Sequence, residues 1–63
     1  MDTERYKKLL EDDELQDYLI TSESKGYFER YLYFMKVLGK DCKYVNSCVK
    51  LMKEDIDGFY SGR

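Results

Sequence analysis

Apolar residues recur at intervals of three and four along most of the chain, which is the spacing of one face of an α-helix. Near the N-terminus two such groups are Tyr6, Leu9 and Leu10, and then Leu15, Tyr18 and Leu19. At 100° per residue the two groups lie on opposite sides of one helix, so we predict a kink or short break at residues 11–13, with Asp12 or Asp13 capping the next helix. One long helix packed on both sides is the alternative.

The strongest apolar stripe lies in an aromatic segment, residues 27–38, which follows a run of capping residues at 21–24. Its members are Tyr27, Phe28, Tyr31, Phe34, Met35 and Leu38. Leu32 widens the stripe, whereas Tyr33 and Val37 fall outside it. Gly39 is expected to end this helix as the first residue beyond the cap.

A last helix is predicted over about residues 42–57, capped by Asp41 and ended by Gly58. Its apolar positions are Cys42, Val45, Cys48, Val49, Met52 and Ile56. The joint after the aromatic helix is short, so the two helices must fold back on each other as an αα-hairpin. We expect residues 61–63 to form a frayed tail, with Phe59 and Tyr60 able to dock.

These elements predict an all-α fold, a small three- or four-helix bundle in a single domain over residues 1–63. The absence of proline and the 38% of charged residues favour helix. A chain of about 60 residues buries only about 60% of the surface that its unfolded form exposes. We therefore expect dimerisation to complete the bundle.

The aromatic helix is apolar over a wider arc than one-sided packing requires. Because a 63-residue chain has little else to cover it, we predict that this helix forms a self-association or partner interface. Burial within the monomer is the alternative. The predicted interface residues are Tyr27, Phe28, Tyr31, Tyr33, Phe34, Met35 and Val37.

Charge is distributed unevenly along the chain. Residues 1–24 carry eight acids and three bases, and residues 25–63 carry eight bases and five acids, for −2 overall. The predicted acidic face consists of Glu11, Asp12, Asp13, Glu14 and Asp17. It is either a solvated surface or a face that meets a basic partner, which includes mimicry of nucleic acid.

A second function to weigh is nucleic-acid binding through the C-terminal half. Lys43, Asn46 and Lys50 share one face of the last helix and are the candidate contacts. A nucleic-acid binder is expected to carry a clear positive footprint, whereas this chain has a pI near 5.0. A small DNA-associated transcriptional regulator is therefore the alternative and not the preferred function.

Catalysis and cofactor chemistry lack the residues they need. The sequence has no His, no Gly-rich phosphate loop and only two Cys, so we expect no enzyme, no metal and no cofactor. Cys42 and Cys48 are too far apart on a helix for a disulfide, and we interpret them as reduced thiols, with an intermolecular disulfide or a redox role as alternatives.

No apolar run approaches the roughly 18 residues of a membrane-spanning helix, and the polar N-terminus carries no secretory signal. Since the chain begins with Met1, we expect a complete, soluble, cytoplasmic product. The expected function is a small protein–protein interaction module, a homodimer that regulates, adapts or inhibits a larger protein. Stand-alone acidic proteins of this size are often encoded by phages, viruses or mobile elements, so that origin is expected on frequency alone.

Overall fold

The computed structural model describes residues 3–62, and this range forms four α-helices without a strand. The helices are α1 (Thr3–Leu9), α2 (Asp13–Ile20), α3 (Lys25–Val37) and α4 (Lys43–Ser61). α3 and α4 form the C-terminal αα-hairpin. The predicted all-α bundle is therefore confirmed with four helices, while its completion by a second copy stays a prediction.

The core lies around α4, which packs against each of the other three helices. One stripe of α4 is buried along most of its length: Val45, Cys48, Val49, Met52, Ile56 and Phe59. The earlier helices and the turn after α1 add three pairs to the same core, namely Tyr6 and Leu10, Leu15 and Leu19, and Phe28 and Tyr31. Burial of a Val, Leu, Ile, Phe or Met side chain contributes about 1.5–3 kcal/mol. Because α4 supplies six of the buried residues and packs against each of the other helices, it organises the bundle.

The break between α1 and α2 falls where the two opposed apolar groups predict it. Asp12 has extended backbone angles (φ −72°, ψ 120°), and its Oδ1 accepts the backbone N–H of Glu14 at 3.0 Å. The Gln16 side chain donates to the Leu10 carbonyl at 2.8 Å, which satisfies a backbone group that the break leaves open. The predicted break and the predicted cap at Asp12 are thus confirmed. The change of direction at the break lets residues of both apolar groups, Tyr6 and Leu10 and then Leu15 and Leu19, reach one core.

The polar run between α2 and α3 ends α2 as expected. The hydroxyls of Thr21 and Ser22 donate to carbonyl oxygens in the last turn of α2, each at 2.9 Å. Ser24 occupies the cap position of α3, but its side chain makes no capping bond there. It is buried and donates instead to the Asp55 carboxylate on α4. The start of α3 is therefore held by a contact between helices.

The joint between α3 and α4 contains one confirmed and one wrong prediction. Gly39 has φ +93° and donates its N–H to the Phe34 carbonyl at 3.1 Å, as expected of the residue after a helix cap. The predicted cap at Asp41 is wrong. Cys42 caps α4, and its Sγ accepts the Tyr44 N–H at 3.4 Å. A bond from the Cys42 N–H to the Gly39 carbonyl closes a further turn first, which delays the helix by one residue.

The predicted end of the last helix at Gly58 is also wrong, since α4 continues to Ser61. Phe59 is buried against Tyr18, with ring centroids 5.1 Å apart, and the Tyr60 hydroxyl donates to Asp12 at 3.1 Å. A helical Gly costs about 1 kcal/mol, less than the roughly 1.5–3 kcal/mol gained by burying Phe59. Of the expected frayed tail, Ser61 is helical and Gly62 caps the helix, while residue 63 lies outside the described residues.

Candidate protein-interaction surface

The predicted interface residues of α3 divide between the core and the surface. Phe28 and Tyr31 are only 2% and 4% exposed, so they belong to the interior of this chain. Tyr27, Phe34 and Met35 are half-buried and pack against the core from its margin. The two residues outside the stripe, Tyr33 and Val37, are 60% and 55% exposed. A partner of the monomer can therefore contact the half-buried and the exposed residues, but it cannot contact Phe28 or Tyr31.

An aromatic row crosses from α3 to α4 on this surface. The rings of Tyr33 and Phe34 meet edge to face, and the rings of Phe34 and Tyr44 stack, both with centroids 5.5 Å apart. Tyr44 is 51% exposed. Such contacts hold the rings in fixed orientations, which lowers the entropy that a partner must remove on binding.

The apolar surface continues along both helices of the hairpin. Val37 lies one helical turn after Tyr33, and Leu51 lies two turns after Tyr44 and is 56% exposed. Leu51 and Tyr27 line one shallow depression between the helices. We define the α3–α4 face as the six residues Tyr27, Tyr33, Phe34, Val37, Tyr44 and Leu51.

Charged side chains give this face two different ends. At one end, the depression beside Tyr27 is lined by Glu23, Glu54 and Asp55. At the other end, the Lys43 ammonium lies 5.4 Å from the centre of the Tyr44 ring. We call these the acidic end and the basic end of the face.

Arg30 lies between the two ends, on the side of α3 that faces Cys48. Burial raises the pKa of the Cys48 thiol, and the Arg30 charge opposes this effect. The thiol is therefore neutral at physiological pH and behaves as a small core residue. Cys42 and Cys48 are both free cysteines, and Cys42 serves as the cap of α4.

Tyr33 and Val37 are predictable as candidate contacts because both residues fall outside the apolar stripe of their own helix. The predicted set does not include Tyr44, Leu51 or Arg30. The available signal was the phase of α4, in which Tyr44 and Leu51 both fall outside the buried stripe while remaining on one side of the helix. Which side faces α3 follows only from the packed hairpin.

The predicted acidic residues are all exposed, and they lie at the corner between α1 and α2 and along α2. Asp12 has a local structural role, since it caps α2 and accepts the Tyr60 hydroxyl. The Glu11 charge adds to the raised pKa of buried Tyr31, after burial itself. Asp13 and Glu14 lie in the first turn of α2, where negative charge is favourable. Local stabilisation thus accounts for much of this run, and Asp17 is exposed on the same helix.

The candidate nucleic-acid contacts are less well placed. Lys43 and Lys50 are exposed, but Asn46 is half-buried, and its Oδ1 atom is enclosed without a hydrogen-bond partner. An Asn that reads adenine uses both its oxygen and its nitrogen at the base edge, so the enclosed oxygen argues against this role. Elsewhere Lys53 pairs with Asp57 at 2.9 Å.

One depression of the described surface carries charges of both signs. A depression of about 220 Å³ beside α1 is lined by Lys7, Lys8 and Lys40 together with two glutamates, so its charges largely offset one another. Lys7 is nearly buried, contacts Glu4 at 3.5 Å and donates to the backbone carbonyl of Lys40. Within residues 3–62 no group of acidic or cysteine side chains is arranged to hold a metal ion.

Two further observations bear on function. None of the helices in the described part of the chain has the length and apolar character needed to cross a membrane. No protein-family model, curated protein or solved structure significantly matches this chain. Function must therefore be inferred from the surface itself.

Proposed function

We propose that this protein is a small non-enzymatic interaction module that regulates, adapts or inhibits a larger protein by binding it through the α3–α4 face. The observation that supports the proposal is the exposed aromatic row of Tyr33, Phe34 and Tyr44 beside Val37. Aromatic side chains that are rigid and partly polar contribute much of the binding energy at protein interfaces. In this chain these side chains lie at the surface of a bundle that has a hydrophobic core of its own.

The cell compartment that fits this function is the cytoplasm. Both cysteines are free thiols, and one of them lies in the core. Reduced thiols are the normal state of cysteine in that compartment.

A DNA-associated regulator remains the competing function, and two observations disfavour it. The chain carries a net charge of −2, and the enclosed Oδ1 of Asn46 is unavailable to a base. Binding to DNA would also weaken steeply with salt, because each phosphate contact releases a counterion.

The proposal is tested by affinity capture followed by measurement of the dissociation constant for the captured protein. The test variant is Tyr33→Ser, and the matched control is Leu32→Ser, whose side chain is 48% exposed on the same helix but points away from the face. We expect Tyr33→Ser to weaken binding at least tenfold, or about 1.4 kcal/mol, while the control changes it less than threefold.

The same measurement distinguishes the competing function. Partner binding through apolar contacts should change little between 50 and 200 mM salt, whereas DNA binding would fall by orders of magnitude. Equal effects of both substitutions, or tight salt-sensitive binding of mixed-sequence DNA that depends on Lys43 and Lys50, would refute the proposal.

A further inference from the structure

We propose that in the free protein the α3–α4 face binds a second copy of this chain, with the two hairpins antiparallel, so that the acidic end of each copy meets the basic end of the other. This proposal rests on the proposed function, because it concerns the same face. It states which molecule covers that face when the larger partner is absent. It is carried by the charges at the two ends of the face.

The acidic end carries Glu23 and Glu54, both exposed, beside Tyr27 and Leu51. Asp55 lies at the same end but accepts the buried Ser24 hydroxyl, so it is committed within the monomer. The basic end carries Lys43, whose ammonium lies beside the exposed Tyr44 ring. Tyr33, Phe34 and Val37 lie between these two ends, beside the exposed Arg30.

Symmetry determines which ends meet. A dimer of identical chains normally has a two-fold axis and buries the same patch on both copies. If this axis lies in the interface and runs across the helices, each copy is reversed relative to the other. Lys43 of one copy then approaches Glu54 of the other, and the contact occurs twice. An axis along the helices would bring like charges together, which is unfavourable.

A dimer interface of standard size needs only part of the surface that this chain exposes. A standard protein interface buries about 800 Å² on each partner. That area is less than a fifth of the 4462 Å² that the described chain exposes. Because a chain of about 60 residues buries only about 60% of the surface that its unfolded form exposes, covering Tyr33, Val37 and Leu51 also adds apolar burial that the monomer lacks.

Self-association on this face would also regulate it. The residues that bind the second copy are those that bind the larger partner, so the two complexes exclude each other. Raising the concentration of the protein would then increase the dimer and lower the affinity observed for the partner.

The test is the native mass of three samples by sedimentation: the Lys43→Glu chain, the Glu54→Lys chain, and their equimolar mixture. In either chain alone, like charges face each other twice, so dimerisation should weaken by at least about tenfold relative to the unmodified chain. In the mixture each contact becomes an opposite-charge pair, so a heterodimer should form. Circular dichroism of each chain checks that both variants remain folded.

Lys8→Glu is the control, because Lys8 is exposed on α1 and lines a depression that includes no residue of the α3–α4 face. This variant should dimerise like the unmodified chain. A monomeric unmodified chain at every concentration, or a mixture no more dimeric than its components, would overturn the inference. A monomer that still distinguishes Tyr33→Ser from Leu32→Ser in partner binding would leave the proposed function intact, so the two failures are separable.

Discussion

The rings of Phe34 and Tyr44 stack across the joint between α3 and α4, with centroids 5.5 Å apart. Phe34 is half-buried and continuous with the core, whereas Tyr44 is largely exposed. The pair therefore connects the interior of the bundle to the surface that we assign to binding. The two residues have different roles. Truncation of Tyr44 would remove part of the binding surface, whereas truncation of Phe34 would disturb the packing of the core.

For Tyr44→Ala we expect a small loss of stability and a larger loss of binding. The free energy of unfolding should fall by about 0.5–1.5 kcal/mol, the contribution of one aromatic pair. Urea unfolding followed by circular dichroism measures it. A loss above about 3 kcal/mol, which is typical of core truncation, would show that Tyr44 is part of the core instead.

Met52 and Leu51 are neighbours on α4 with opposite environments, since Met52 is fully buried and Leu51 is exposed. Met52→Ala should reduce the free energy of unfolding by about 2–5 kcal/mol, a large part of the total for a chain of this size. Leu51→Ala should change it by about 0.5 kcal/mol or less. Comparable losses for the two variants would contradict the assigned orientation of α4.

The break at Asp12 illustrates what can be predicted from sequence. Two apolar groups in opposite phase cannot face one core from a straight helix, so local geometry favours a break over the alternative of one long helix packed on both sides. The burial of Phe28 and Tyr31, by contrast, needs the packing of α3 against other helices, chiefly α4, to supply the covering surface. The excess apolar arc of α3 correctly indicated exposed residues, and Tyr33 and Val37 are among them.

The two wrong boundaries of α4 have tertiary causes. Gly58 is a normal stop signal, but Phe59 finds a buried position against Tyr18 that outweighs it. Asp41 is a better cap than Cys42 by type, but the turn after Gly39 determines where the backbone becomes helical. Neither cause is visible until the helices are packed.

Gly58 and Gly39 should respond to alanine with opposite signs. A Cβ atom at either position meets no atom within 4 Å, so space does not distinguish them. Gly58 is inside a helix, and Gly58→Ala should stabilise the chain by about 0.5–1 kcal/mol. Gly39 has φ +93°, and Gly39→Ala should destabilise it by about 1–2 kcal/mol. Thermal unfolding of both variants measures the two signs, and a shared sign would contradict these backbone assignments.

The Asp57 carboxylate should make folding sensitive to acid. It accepts the Tyr6 hydroxyl at 2.8 Å and the Lys53 ammonium at 2.9 Å, and these bonds, led by that of Lys53, hold its pKa below the ordinary value of 3.8. Because the pKa of Asp57 is lower in the folded state, the carboxylate stabilises that state at pH values above its pKa in the unfolded chain. This stabilisation is lost as the pH falls through the pKa of the folded state.

The check is the unfolding free energy of the unmodified chain and of Asp57→Asn between pH 2 and pH 6, with Asp17→Asn as an exposed control. The advantage of the unmodified chain over Asp57→Asn should be constant above about pH 5 and shrink below it, since the variant cannot titrate. An advantage that does not change with pH would show that the Tyr6 and Lys53 bonds leave the pKa of Asp57 unshifted.

The measurement that tests the central claim most directly is photo-crosslinking in the source cells from a single photoreactive phenylalanine, placed at Tyr33 in one strain and at Leu32 in another. Both sites are exposed on α3, but only Tyr33 belongs to the α3–α4 face. We predict a crosslinked larger protein, together with a dimer band, from Tyr33 and little product from Leu32. Crosslinks from Leu32 and not from Tyr33, or crosslinks from Tyr33 to nucleic acid alone, would contradict the assignment of this face to protein binding.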